Sequence, residues 1–398
     1  MPGSTDSRSL PVQTAERGPL ITRAAPQRDL YIDRLRTVMT ALVLLHHTAI
    51  TYGAAGGWFY NELHQSAAPS SLLLTMFCAT NQAYFMGFFF FLAGYFTPAS
   101  LERKGYAQFL VDRFLRLGLP LLAFIFVLGP LTAAMVAAHD GKDFWGVFPY
   151  LWNRVIIING PMWFVQALLM FCLGYCAWRT AFGSPLTQSS RAPSPVPSYS
   201  KWLLSAVIVG AISIVIRQFV PVGKNVIGLQ LAYFAPYIFL FAIGIAAWRH
   251  DWLRQFQWKH ARIWVITLIV AWPLLPIGIV VAMRMFGPGK ANFAGGYTWP
   301  AVFYAFWDPF VAWGFIAAWL LIARAYMNKP SQFWSWLNRR AYAVYIIHPP
   351  VLVGISLLLH PWIAPALLKF AVTGTLVCLA TWLVADPLVR IPGVRRVV

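Results

Sequence analysis

Acidic side chains are scarce in this 398-residue chain: 12 Asp and Glu stand against 31 Lys and Arg. Charged residues of both signs make up 11% of it, where a soluble domain carries about 25%. That shortage excludes an ordinary soluble domain. Cysteine is as rare. Cys78, Cys172, Cys176 and Cys378 all fall inside apolar runs, which argues against a disulfide framework. Cys172 and Cys176 share a helical face at i, i+4, but no His or acid accompanies them there. They read as small packing residues rather than as metal ligands, and no metal centre is expected. No internal repeat of the kind built from inverted halves is visible. No apolar core precedes the first long apolar run, so a cleaved signal peptide is not expected.

What the chain has instead is apolar length. It is 59% hydrophobic, with a mean hydropathy of +0.62. Runs of about 18 or more apolar residues recur, each long enough to cross a bilayer as a helix. The pattern predicts an all-α integral membrane protein of about ten transmembrane helices, near 35–54, 71–96, 118–138, 161–180, 202–219, 230–248, 263–283, 300–323, 342–359 and 365–385. Most Lys and Arg fall in alternate connections, and the positive-inside rule then puts both termini in the cytoplasm. The net charge of +19 is thus topological. No basic cluster is interleaved with a nucleic-acid recognition motif, so nucleic acid is not an expected partner. The expected divisions are a disordered cytoplasmic tail over 1–27, a membrane domain over 28–385 with a flexible Ser/Pro-rich cytoplasmic loop at 183–200, and a short basic tail over 386–398. After the second span, Pro98 to Gly118 carries apolar residues at 109, 110, 114 and 117, with charges mostly on the other side. It reads as an interfacial amphipathic helix.

Five constellations carry chemistry. The first span holds adjacent histidines, His46 and His47, where an ionisable group is costly and usually functional. Asp33-Arg-Leu-Arg36 precedes them. Eleven residues separate Arg36 from His47, and eleven steps of about 100° return to within about 20°, so both lie on one face, roughly 16 Å apart along the axis. His46 points about 100° away. The second is Phe88-Phe-Phe-Phe-Leu-Ala-Gly94-Tyr95-Phe96, where Gly94 permits close helix approach and Tyr95 offers a hydroxyl. The third is Arg113-x-x-Arg116, one turn apart. The fourth is Gly160-Pro-Met-Trp163-Phe164 at the mouth of the fourth span. The fifth is Tyr342-Ala-Val-Tyr345-Ile-Ile-His348-Pro349-Pro350, in which the prolines should break or kink the helix directly after His348. Bland readings exist for each: Arg36 as a topology anchor, the intramembrane His as a packed, hydrogen-bonded residue, the arginine pair as lipid-headgroup contacts, the aromatics as packing, Trp163 as a belt residue and His348 as the cap of a kink. Together they suit acyl transfer from a cytoplasmic thioester. Two arginines clamp coenzyme A phosphates, and a histidine serves as general base toward an acceptor hydroxyl.

In this order the motifs resemble membrane acyltransferase family 3, over roughly residues 28–385. The residues that carry the likeness are Ile32-Asp33-Arg-Leu-Arg36 with His47, Phe89-Phe-Phe-Leu-Ala-Gly-Tyr95, Arg113-Phe-Leu-Arg116, Trp163-Phe164 and Tyr345-Ile-Ile-His348. The chain looks nearer to the glucan-modifying, succinyltransferase-like branch than to relatives with a fused extracytoplasmic domain. It has Ala93 where many relatives have Ser. The resemblance implies an acyl-CoA donor (acetyl- or succinyl-CoA) at the cytoplasmic face and a carbohydrate acceptor at the external face. It also implies a multi-pass place in the bacterial inner membrane, and action alone or with a separate extracytoplasmic partner.

The resulting expectation is an O-acyltransferase. His47 activates the acceptor or carries the acyl group, and Arg36 orients the site with Asp33 as its partner. Arg113 and Arg116 hold coenzyme A phosphates, Tyr345 and His348 shape the donor entrance, and Trp163, Tyr95 and His46 lie on the substrate path. The rival is a transporter of a small molecule or lipid-linked sugar, which buried ionisable groups would also suit. A non-catalytic scaffold would not need the Arg36–His47 spacing.

Overall fold

The computed structural model describes residues 29–154, 156–183, 192–287 and 289–397. The expected tail over 1–27 and residues 184–191 of the Ser/Pro-rich loop lie outside these. In chain order the helices are α1 (Leu30–Thr51), α2 (Pro69–Arg113), α3 (Leu119–Ala123), α4 (Gly129–His139), α5 (Val147–Asn153), α6 (Trp163–Phe182), α7 (Tyr199–Phe219), α8 (Phe234–Arg249), α9 (Trp252–Gln255), α10 (Trp258–Ala271), α11 (Leu274–Phe286), α12 (Trp299–Tyr326), α13 (Gln332–Asn338), α14 (Ala341–Leu358), α15 (Ala366–Leu388) and α16 (Pro392–Arg395). Among the described residues there is no β-strand.

Eight helical stretches among the described residues are long and apolar enough to cross a membrane. The first of them, Pro69–His139, has 71 residues and holds both the second and third expected spans. At 1.5 Å per residue it would be about 107 Å long, more than three bilayer cores, so it cannot be one crossing. It turns at Gly105, whose φ of 74° and ψ of 170° are not helical and favour a residue without Cβ. The turn brings Lys104 against Asp112. Two π turns, Phe114–Gly118 and Phe124–Leu128, then join α3 and α4 to it. On the expected amphipathic segment Phe109 and Leu117 are buried, while Phe114 is 54% exposed. The buried stripe is therefore narrower than the sequence suggested. The first expected span, α1, is not among the eight. Arg34, Arg36, His46 and His47 lower its mean hydropathy.

The tightest helix pair is α2 with α8. A Cβ at Gly94 would stand 2.1 Å from the Phe241 carbonyl oxygen, and one at Gly244 would stand 2.1 Å from that of Phe91. Small residues let backbones meet where lipid offers no hydrophobic drive to associate. The aromatic run packs into this seam, with Phe90 against Phe164, Phe171 and Tyr237. The helix α14 lies between α1, α4 and α15, which sets its polar face beside the histidines of α1.

Of the two outcomes expected at Pro349 and Pro350, a break or a kink, the break does not occur: α14 runs on to Leu358 with both prolines inside it. The prolines remove single backbone hydrogen bonds, and the helix is held by its neighbours on three sides.

Candidate functional site

A missing N–H has a defined consequence. In an α-helix the amide of residue i bonds the carbonyl of i−4. Pro349 has none, so the Tyr345 carbonyl is free of its usual partner. The His348 side chain takes its place, with Nδ1 2.7 Å from that oxygen. A carbonyl can only accept, so Nδ1 carries the proton and neutral His348 has its lone pair on Nε2. Nearer the other end of α14, the Tyr342 hydroxyl donates to the Arg116 carbonyl at 2.6 Å, in the π turn Phe114–Gly118. The Tyr345 hydroxyl donates to the Pro161 carbonyl. One face of α14 thus runs from Arg116 past Pro161 to the histidines.

There three rings gather. His47 stacks on Trp58 with centroids 3.8 Å apart and planes 15° apart. His348 lies 5.4 Å from His47 and 5.9 Å from Trp58, nearly parallel to both. His46 packs its edge toward His47 and tilts against Phe85. Four buried polar atoms converge here with no hydrogen-bond partner among the described residues: His46 Nδ1, His47 Nδ1, His348 Nε2 and Trp58 Nε1. Buried polar groups are rarely left so, and a cluster of them suits a reacting group with carbonyl and hydroxyl oxygens.

His46 and His47 line a cavity of about 1310 Å³, together with Trp58, Trp163, Tyr233, Tyr237 and Tyr304. Its other polar lining is neutral, including Gln82, Asn159, Gln230 and Asn292. Among the described residues no Asp, Glu, Lys or Arg lines it. Trp163 stacks on Tyr237 at 5.6 Å, and Gln82 donates to the Tyr237 hydroxyl at 2.8 Å. Aromatic faces and amides without charge suit a neutral polyhydroxylated ligand.

The sequence-selected residues separate into two groups. His46, His47 and Trp163 line the cavity, and His348 is fully buried beside His47 without lining it. Arg36, Arg113, Arg116 and Tyr95 do not line it. Arg36 sits 3.7 Å from Asp33 and over the Phe96 ring at 4.7 Å, which joins the first motif to the end of the aromatic run. Tyr95 is buried beside Phe96. Arg113 lies over Phe109, and its Nε is buried without a hydrogen-bond partner. From Tyr342, which bonds the Arg116 carbonyl, to His348 is six residues of helix, or about 9 Å along the axis.

Sequence reasoning missed Trp58, which follows His47 by eleven residues in a loop. It also missed Arg217 and Asp308, a buried pair 2.5 Å apart behind the cavity wall. Arg217 lies over the rings of Tyr233 and Tyr304, at 5.3 and 5.1 Å. A lone Arg in the span ending at Phe219 and a lone Asp in the span after Trp299 were the available signal.

No curated protein and no solved structure matches the chain significantly. A family model described as an acyltransferase domain matches residues 29–387, nearly the whole chain and every residue of the site. The protein is a multi-pass membrane protein and belongs to acyltransferase family 3.

Proposed function

We propose that the protein moves an acyl group, acetyl or succinyl, from acyl-CoA to a hydroxyl of a carbohydrate of the cell envelope, with His47 as general base. The observation that carries this reading is His47 itself: an imidazole stacked on Trp58 with His348 close beside both, opening on a large uncharged cavity of aromatic and amide side chains. The basic end of the bundle, with Arg36, Arg113 and Arg116, is taken as cytoplasmic on the positive-inside rule. The cavity then faces the external side of the bacterial inner membrane.

In this reading Arg113 and Arg116 hold the phosphates of coenzyme A. The pantetheine arm follows the α14 face past Tyr342 and Tyr345, so that the thioester reaches the rings about 9 Å deeper. A sugar unit enters from the cavity and stacks on Trp163. His47 takes the proton of its hydroxyl as the oxygen attacks the thioester carbonyl. The tetrahedral intermediate collapses with cleavage of the C–S bond, and the departing thiolate takes the proton from the His47 imidazolium. An acyl ester and free coenzyme A result. His348, with its tautomer set by Tyr345, holds the plane of His47. Arg36, paired with Asp33, positions the donor end.

Sealed vesicles of known orientation test the sidedness. Labelled acetyl- or succinyl-CoA supplied at the Arg113 side should label glycan enclosed on the Trp58 side. Labelling only when donor and acceptor share one side would refute the arrangement.

A further inference from the structure

The loop that delivers Trp58 is closed on itself. It leaves α1 at Thr51 and returns to it, because the amides of Glu62 and Leu63 both donate to the Thr51 carbonyl, at 2.9 and 3.1 Å. Such compact loops with adjoining ends are frequently functional. Both ends are held by α15. The Tyr52 hydroxyl lies 2.9 Å from Thr373 Oγ1. Four residues earlier on α15, Lys369 Nζ pairs with Glu62 Oε1. One turn separates Lys369 from Thr373, so a single helix face grips both ends of the loop.

The ion pair is unusual in its burial. The Lys369 and Glu62 side chains are 5% and 7% exposed. Lys369 also reaches the carbonyls of Leu359 and His360, each at 3.4 Å. His360 Nδ1 is 2.9 Å from the Tyr60 hydroxyl and 3.9 Å from Glu62 Oε2. Burial first, and then the Glu62 charge, push the Tyr60 phenol up to about 12, so it stays a neutral hydroxyl. A buried pair of opposite charges is weak evidence for stability, because desolvation offsets the attraction. What it fixes is geometry, and the geometry here is that of Trp58 on His47.

We infer that Glu62 and Lys369 are positioning residues for the acyl-transfer centre: their clamp on the α1–α2 loop lays Trp58 against His47 and thereby orients the reacting imidazole. This rests on the reading of His47 as the base, but its test has an arm that does not. Trp58 covers one face of the His47 ring, so the clamp governs how readily reagents reach that ring.

Purified full-length protein in detergent is treated with diethyl pyrocarbonate, and modification at His47 is followed by fragmentation mass spectrometry. Trp58→Ala should speed His47 modification by about tenfold, with Glu62→Gln, Lys369→Met and the milder Thr373→Val falling between it and wild type. In the transfer assay, Glu62→Gln and Lys369→Met should lower kcat by about 10- to 100-fold, the scale of a small misplacement of a reacting group. KM for the donor should stay within about twofold, since no donor contact is touched. The double reversal Glu62→Lys/Lys369→Glu should recover part of kcat. Should variants that retain the wild-type melting temperature modify His47 at the wild-type rate, the clamp is refuted. Should Trp58→Ala itself leave that rate unchanged, the proposal is equally overturned. Full transfer by His47→Ala would refute the catalytic reading while the modification rates still decide the clamp.

Discussion

His348 stands 5.4 Å from His47 with ring planes 12° apart, and its Nδ1 proton goes to the Tyr345 carbonyl that Pro349 leaves free. Sequence, backbone and chemistry meet in that relation. A proline deletes one backbone bond, a histidine fills it, and the filled bond fixes which nitrogen of His348 keeps its lone pair.

Pro349→Ala should therefore cost activity without costing stability. The restored amide competes with His348 for the Tyr345 carbonyl, and the helix gains a bond. Transfer should fall by at least about tenfold, part of the 10²–10⁴-fold that a positioned acid–base group supplies, with an unchanged or higher melting temperature in detergent. Unaltered kcat would show that the His348 tautomer is irrelevant.

Arg217 and Asp308 should behave as a pair that tolerates joint but not single loss. Arg217→Met or Asp308→Leu alone strands a buried charge and should destabilise by about 3–5 kcal/mol. The double variant should regain most of that. Thermal unfolding of the three variants in detergent measures the coupling. Additive losses would mean the two residues act independently.

Gly94→Val and Gly244→Val should each separate α2 from α8. A Cβ at either position meets a backbone oxygen at 2.1 Å, which cannot rotate away. A loss of about 1–3 kcal/mol or more is expected, read as reduced monodisperse protein on detergent size exclusion. Wild-type behaviour would contradict the close seam.

Arg113→Gln and Arg116→Gln should act on the donor. Loss of a charged hydrogen bond to phosphate is worth about 1.5–3 kcal/mol, so KM for acyl-CoA should rise by about 10- to 100-fold while the acceptor KM holds. A selective change in the acceptor KM would move these arginines to another role.

Much of this was legible in the chain. Apolar length fixes the helical class, and the Arg36–His47 spacing singled out the imidazole that lines the cavity. Gly94 was read as a point of close approach, which the Phe241 carbonyl beside it bears out. What was not legible depends on distance in space. Helical angle turns His46 away from Arg36, yet the cavity is wide enough to reach it as well as His47. Pro349 and Pro350 allow a break as well as a kink, and the helix is continuous because neighbours that local rules do not count hold α14. Trp58 and Glu62 sit in a loop without periodicity, and their partners His47, His348 and Lys369 come from three separate helices. The merged stretch Pro69–His139 shows the same limit, since the turn at Gly105 is a single residue's backbone angle inside an otherwise helical pattern.

The central claim is that one imidazole performs the transfer. The most direct measurement is label transfer from acetyl- or succinyl-CoA to envelope glycans by membranes carrying wild type, His47→Ala or His46→Ala at matched protein levels. The account predicts a fall of at least about 10²-fold for His47→Ala and a much smaller one for His46→Ala. Undiminished transfer by His47→Ala would contradict it.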